Sequence, residues 1–243
     1  MITKMGPELS AIVKRAYHCD LPIMIVGTHG LGKSEMFEQV AADLKIGCIV
    51  NDLSIMEPLD LMGVPRGRNG RTVYEPPTFL PIGGKGLFVI EEINRADHFM
   101  RAPCLQLLTA RRLNDYRLPK GWLPVAAVNP SGDAYEVHEM DPALLSRFSV
   151  INVEPDLSAW VAWALENNVD QRVVDFVENT PDIFSDTDPR SWTYVSKSLA
   201  PNGSGRPVRM DLNLLKFIAG YVGDDYAEKF MAYHSNRSET SIS

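Results

Sequence analysis

Three cysteines in 243 residues are too few and too scattered to staple a fold or hold a metal. Cys19, Cys48 and Cys104 form neither a CxxC pair nor a ligand pattern. They are expected to be reduced, buried and inert, which fits a cytoplasmic protein. No apolar run approaches the ~18 residues that would span a bilayer, so no membrane insertion is expected. The opening Met1-Ile2-Thr3-Lys4-Met5-Gly6-Pro7 lacks the long apolar stretch of a signal peptide. Positive charge is also in deficit: 24 Lys and Arg face 31 Asp and Glu, a net of -7. That balance argues against wholesale adhesion to nucleic acid or anionic membrane and leaves room for a local basic patch. There is no internal repeat and no low-complexity segment. What remains, 45% hydrophobic and 23% charged, is enough for a packed core. The length suits one α/β domain, alone or with a small appendage.

The hydrophobic pattern switches period along the chain. Leu9, Ile12, Val13 and Ala16 predict a helix over 8–19. Ile23-Met24-Ile25-Val26, short, branched and stopped by Gly27, reads as a buried strand. Met36, Phe37, Val40, Ala41 and Leu44 predict the next helix. Further strands are predicted at 46–51, 86–90, 122–128 and 149–153, with a helix over 97–111 whose reading Pro103 interrupts. Residues 52–85, rich in Pro and Gly, read as irregular. Strands alternating with helices imply a mainly parallel sheet covered on both faces. Beyond Pro155 no strand is predicted. Helices are marked by Leu157 to Leu165, by Val169 to Val177, by the Asp188-Pro189 cap before Trp192, Val195 and Leu199, and by the Asp211 cap before Leu214, Leu215, Ile218 and Val222. Residues 201–207 read as a Gly/Pro/Ser loop, and 235–243 as a frayed tail.

Gly27-Thr28-His29-Gly30-Leu31-Gly32-Lys33-Ser34 matches G-x-x-x-x-G-K-[ST] in full, with a strand before it and a helix after it. Its glycines let the backbone curl so that N–H groups point at phosphate oxygens. The helix beginning at Gly32 adds the positive end of its dipole. Lys33 supplies charge for the β- and γ-phosphates, and Ser34 offers a hydroxyl to Mg²⁺. Leu87-Phe88-Val89-Ile90-Glu91-Glu92 is an apolar strand ending in two carboxylates. Such a pair suits phosphoryl transfer: Glu91 to hold Mg²⁺ through water, and Glu92 to orient the attacking water. The usual first carboxylate is Asp; Glu91 is one methylene longer. The expected cofactors are ATP and Mg²⁺.

The run Glu92-Ile93-Asn94-Arg95-Ala96 resembles the second nucleotide motif of MoxR-like AAA+ ATPases, a group close to the dynein-related ATPase domains. Four further stretches are similar, in the family's order: 111–119 (Arg-Arg-Leu-Asn-Asp-Tyr-Arg-Leu-Pro), 126–130 (Ala-Ala-Val-Asn-Pro), 141–148 (Asp-Pro-Ala-Leu-Leu-Ser-Arg-Phe) and 189–192 (Pro-Arg-Ser-Trp). The resemblance covers 21 to about 200. It implies an α/β P-loop NTPase of the AAA+ type, with a parallel sheet flanked by helices and followed by a small all-helical lid. The boundaries expected are 1–154 for the nucleotide-binding domain, 155–234 for the lid and 235–243 for a disordered tail.

The resemblance also implies roles. Asn129 resembles the sensor-one residue between the Glu92 water and the γ-phosphate. Arg147 resembles the arginine finger that reaches a neighbouring subunit's γ-phosphate. Arg190 resembles the sensor-two arginine at the start of a lid helix. Asn51 either restrains Glu92 or is an ordinary loop asparagine. Arg95 is either structural or an interface residue. His29 takes no catalytic role, and His138 and Glu139 lack a second histidine at ligand spacing. Loop or hairpin insertions are implied over 58–81 and near 112–121, where in a ring they face the pore or a partner, and Arg66, Arg68 and Arg71 make a basic cluster in the first of them. The family implies a homo-oligomeric ring, a hexamer, that hydrolyses ATP to remodel, mature or activate a protein client with a separate von Willebrand A-domain partner. The alternative is a nucleic-acid-associated motor or loader. An ATP-gated scaffold with little turnover is a third reading.

Overall fold

The structure is a computed structural model and describes residues 1–130, 140, 142–201 and 208–240, with backbone alone beyond 235. In chain order the first elements are β1 (Ile2–Lys4), α1 (Pro7–Cys19), β2 (Ile23–Val26), α2 (Lys33–Leu44) and β3 (Gly47–Asp52). Then come α3 (Pro58–Met62), β4 (Val64–Arg68), β5 (Arg71–Glu75), β6 (Gly86–Glu91), α4 (Arg101–Ala110), β7 (Arg112–Leu113), β8 (Tyr116–Arg117), β9 (Trp122–Val128), α5 (Pro142–Leu145) and β10 (Ser149–Glu154). Helices follow: α6 (Leu157–Glu166), α7 (Gln171–Glu178), α8 (Ile183–Asp186), α9 (Pro189–Ser198), α10 (Leu212–Val222) and α11 (Asp224–Thr240). The chain forms two compact units. One comprises Met1–Thr28 with Lys33–Glu154, the other His29–Gly32 with Pro155–Ser243.

The first unit is built on a six-stranded parallel sheet of order β1-β10-β2-β9-β6-β3. The pleat divides the side chains of each strand between two faces. Met24, Phe88, Ile90, Ala126 and Val128 point to one face and pack with Met100, Cys104, Leu107 and Leu108 of α4 and its approach. The alternate residues Ile23, Ile25, Leu87 and Val89 are also buried, and α2 packs on β3 and β6. A strand buried on both faces has to be apolar, as β2 is and as β6 is up to Ile90, before Glu91 at its carboxyl end. Pro124 sits in β9 opposite Phe88, before β9 begins its pairing with β2 at Ala126, so its missing N–H breaks no ladder on that side.

Several readings of the sequence change. Residues 52–85 are not irregular: they hold α3 and the β4–β5 hairpin. The turn is Asn69-Gly70, with φ of 53° and 71°, and the strands pair from Val64↔Glu75 to Arg68↔Arg71. Asn-Gly at two positive-φ positions matches the right-handed twist of the flanking strands. Gly63, at the hairpin base, has φ of 85°, and a Cβ there would lie 2.2 Å from the Glu75 carbonyl oxygen, so only glycine fits. Pro103 does not break α4. It stands at the helix's third residue, where a backbone N–H has no intrahelical acceptor. Cys19 is exposed at the end of α1, Cys48 is half-buried and Cys104 is buried; burial pushes the Cys104 thiol up to about 12.

The second unit has its own core, in which Trp192, Phe176, Phe230, Val173, Ile183 and Ile218 pack together. Its helices begin where short acidic side chains take up unpaired N–H groups. Asp156, Asp170, Asp188 and Asp211 each accept from a backbone N–H in the first turn of α6, α7, α9 and α10. The last helix runs on to Thr240, past the expected start of a frayed tail, since neither Gly nor Pro interrupts 224–240. Residues 202–207 of the predicted loop, His138, Glu139 and Asp141 lie outside the described residues. No helix among the described residues is long and apolar enough to cross a membrane.

Candidate nucleotide-binding site

The sheet order places the chemistry. β2 leads into the Gly27–Ser34 turn, β6 ends in Glu91 with Glu92 directly after it, and β9 lies between them. Strands stand about 4.8 Å apart, so the outer two are separated by about 10 Å at their carboxyl ends. Asn129, directly after β9, closes that gap. Its Oδ1 accepts from Lys33 Nζ at 2.8 Å, and its Nδ2 donates to Glu92 Oε1 at 2.5 Å. One amide thus joins the turn's cation to the strand's carboxylate.

Lys33 is 8% exposed and also donates to the carbonyl oxygens of Gly27 at 2.8 Å and Thr28 at 2.9 Å. A buried ammonium with three acceptors is fixed in place. Ser34, the second residue of α2, donates its hydroxyl to Glu91 Oε1. The longer side chain of Glu91 therefore still reaches the serine. A hydroxyl and a carboxylate side by side, next to a phosphate cradle, suit Mg²⁺, which is held by one or two protein oxygens together with phosphates and waters. Among the described residues no group of three His, Cys, Asp or Glu gathers to hold a metal without such help.

Glu92 turns the chain out of the sheet. Its φ is 52°, a left-handed value for a residue with a side chain. Its N–H donates to the Ala127 carbonyl, and its own carbonyl accepts from Arg95 and Ala96. Oε2 is buried without a hydrogen-bond partner among the described residues. Burial raises the Glu92 pKa; Lys33 and Arg95 pull it down, while Asp52 and Glu91 push it up. A half-buried carboxylate whose pKa is raised, with one oxygen anchored and the other without a partner, is a fitting acceptor for a proton from water.

Asn94 and Asn51 complete the group. Asn94 is 4% exposed, and its Nδ2 donates to the Asn129 backbone carbonyl at 2.9 Å. It fixes the main chain from which the bridging amide projects. Its place in the run 92–96 marks a motif and no task, because the contact spans 35 residues and appears only when β6 and β9 lie side by side. Asn51, at the end of β3, is 5% exposed, and its Nδ2 has no partner among the described residues. Replacing Asn94 by alanine is expected to lower kcat for ATP about 10-fold, the equivalent of one net hydrogen bond of ~1.4 kcal/mol, with little change in KM. Steady-state kinetics check this, and a rise in KM at constant kcat would remove Asn94 from the reacting end.

The remaining residues are not all brought together. Arg147, after α5, is exposed, and its guanidinium donates to Ser146 Oγ at 2.8 Å. It makes no described hydrogen bond to Lys33, Asn129 or Glu92. Within the second unit, His29, Gly30, Leu31 and Gly32 associate with the start of α9. The Arg190 N–H donates to the Gly30 carbonyl at 3.1 Å, while the Arg190 side chain is exposed. A Cβ on Gly30, whose φ is 72°, would stand 2.1 Å from Asp188 Oδ1. Asp188 caps α9, as the Asp188-Pro189 pair predicts, and also closes on Gly30, a contact its local sequence does not reveal.

A parallel sheet with a G-x-x-x-x-G-K-S turn, paired strand-end carboxylates and a polar bridge on the strand between them defines a P-loop nucleoside triphosphatase of the AAA+ type. The family profile of the AAA domain, dynein-related subfamily, matches residues 22–148, just over half of the chain. The chain belongs to that family. Several solved structures share the fold. NtrX from Brucella abortus, crystallised with ADP, has a TM-score of 0.53 at 12% identity, covering 80% of this chain and 50% of NtrX. A candidate ATPase from Cytophaga hutchinsonii gives 0.52 at 16%, over 78% and 62%. The RuvB Holliday junction branch migration motor of Thermotoga maritima gives 0.53 at 14%, over 94% and 69%. The chain thus spans about half the length of NtrX. At these identities the likeness carries the fold alone. No curated protein matches in sequence.

Proposed function

We propose that this AAA+ ATPase hydrolyses Mg²⁺-ATP at the interfaces of a homo-oligomeric ring, a hexamer by resemblance, and uses the cycle to remodel or activate a protein client. The observation that carries the hydrolysis is the Asn129 amide joining Lys33 to Glu92. Gly27–Ser34 would cradle the triphosphate. Lys33 would move its charge onto the β- and γ-phosphates, and Ser34 and Glu91 would hold Mg²⁺, which supplies charge neutralisation at the phosphates. Glu92 would take the proton of the attacking water through Oε2. Asn129 would report the γ-phosphate to Glu92, since it touches the groups on either side. Arg190, exposed beside Gly30, fits the sensor-two role in a lid over 155–234.

The ring reading rests on Arg147. Its guanidinium is exposed and, among the described residues, hydrogen-bonds its neighbouring serine alone, as a finger for another copy's γ-phosphate would. A von Willebrand A-domain partner and a cytoplasmic setting rest on the family resemblance and on the absence of cysteine patterning. The test is specific ATPase activity across a protein concentration series, for wild type and Arg147→Ala. Activity should rise with concentration in the wild type and fall at least ~100-fold in the variant, in line with the effect of a finger in trans. Concentration-independent activity with a silent Arg147→Ala excludes the shared site.

A further inference from the structure

The β4–β5 hairpin carries its charge on one side. Residues directly opposite in an antiparallel pair share a face, as do residues two apart on one strand. The register therefore puts Val64, Arg66, Arg68, Arg71, Val73 and Glu75 on one face, and Pro65, Gly67, Thr72 and Tyr74 on the other. At the tip Arg68 stands directly against Arg71. The β7–β8 hairpin repeats the device, with Arg112 opposite Arg117. The two hairpins touch: the Tyr74 N–H donates to Asp115 Oδ2 at 3.1 Å, and Asn114 Nδ2 to the Met62 carbonyl at 3.3 Å. Arg68, Arg71, Arg112 and Arg117 are all exposed, and no ion pair is described for any of them.

Like charges face to face destabilise a hairpin. Protection of an open strand edge needs charge, but not charge of one sign. In a chain of net -7, carboxylates would protect as well and mixed pairs would cost less. The selection of arginine also matters, because its planar fork matches a carboxylate or phosphate where lysine offers a point charge. One contact on the face shows what it accepts: Arg66 Nε lies 3.5 Å from Glu75 Oε2. Val64, half exposed, and Val73 add aliphatic surface beside the arginines, and no aromatic ring shares that face to stack a base.

We propose that this arginine face, with the second hairpin's pair beside it, binds an acidic stretch of the protein client, each carboxylate taking the place that Glu75 holds against Arg66. The proposal rests on the client-remodelling reading above and names the client's chemistry. The test measures binding of a short fluorescent oligoglutamate peptide to the full chain by anisotropy, beside an oligothymidylate of matched charge. The variants are R68E/R71E and the milder R68Q/R71Q, each checked by circular dichroism. The peptide should bind the wild type, weaken with salt, and lose about 10-fold in affinity in R68E/R71E and less in R68Q/R71Q, with ATPase activity in the absence of peptide unchanged. Equal peptide binding by the variants, no binding by the wild type, or tighter binding of the oligothymidylate overturns it, the last assigning the face to phosphodiesters. Absence of ATPase activity in the same wild-type preparation would instead count against the enzyme reading, whatever the peptide does.

Discussion

Replacing Glu92 by glutamine is expected to leave ATP bound and to lower turnover by about 100- to 10,000-fold, the range that a positioned general base contributes. The carboxamide keeps the shape of the side chain and an Oε1 that can accept from Asn129 Nδ2. It cannot take a proton. The same variant carries a stability signature in the protein without nucleotide. Burial, and next to it Asp52 and Glu91, raise the Glu92 pKa against the pull of Lys33 and Arg95. A carboxyl with a raised folded pKa favours the folded state while it is protonated. That contribution is complete below the unfolded pKa, about 4.3 for Glu, and is lost as pH rises through the folded value. At pH 8 Glu92 therefore costs stability that glutamine does not. Glu92→Gln should melt above the wild type at pH 8, and the gap should close as pH falls towards 4. Equal melting points throughout would mean that Glu92 is not desolvated.

The second large effect is at Lys33. Alanine there removes a buried ammonium that three acceptors hold: the Gly27 and Thr28 carbonyls and Asn129 Oδ1. Two charge-assisted contacts to phosphate, each about 1.5–3 kcal/mol, correspond to a loss of at least ~100-fold in ATP affinity. Titration calorimetry on a variant shown by circular dichroism to be folded checks this. Affinity within about threefold of the wild type would mean that the triphosphate does not lie against Lys33. The contrast between the two variants is informative in itself. One should bind without turning over, and the other should do neither.

The parts of this site that were legible in the sequence are those in which one segment supplies the whole signal. The P-loop is eight consecutive residues, and Glu91 and Glu92 follow directly on an apolar strand. Asn129 was legible only through the family's motif order, because its task depends on β9 lying between β2 and β6, a fact of topology. The Asp188 cap was legible from Asp188-Pro189, but the task of Asn94 and the closure of Asp188 on Gly30 were not. Each acts across a fold contact, on the Asn129 carbonyl and on Gly30. The β4–β5 hairpin was legible through the resemblance, which puts a loop or hairpin insertion over 58–81, and not through the pattern of 52–85, which reads as irregular. The alternation through 64–75 is broken by Asn69-Gly70, a strong two-residue hairpin signal, but the Pro and Gly content of 52–85 masked it. β1 was missed for another reason: three residues pairing only with β10 carry too little pattern to register.

Single-turnover release of phosphate from ATP, with Lys33→Ala and Glu92→Gln beside the wild type, tests the central claim most directly. The wild type is expected to release phosphate in the presence of Mg²⁺. Glu92→Gln should hold ATP and release phosphate at no more than ~1% of that rate, and Lys33→Ala should retain no nucleotide. Release by Glu92→Gln at the wild-type rate would contradict the account, since the group that joins Lys33, Asn129 and Glu92 would then not be where ATP is hydrolysed.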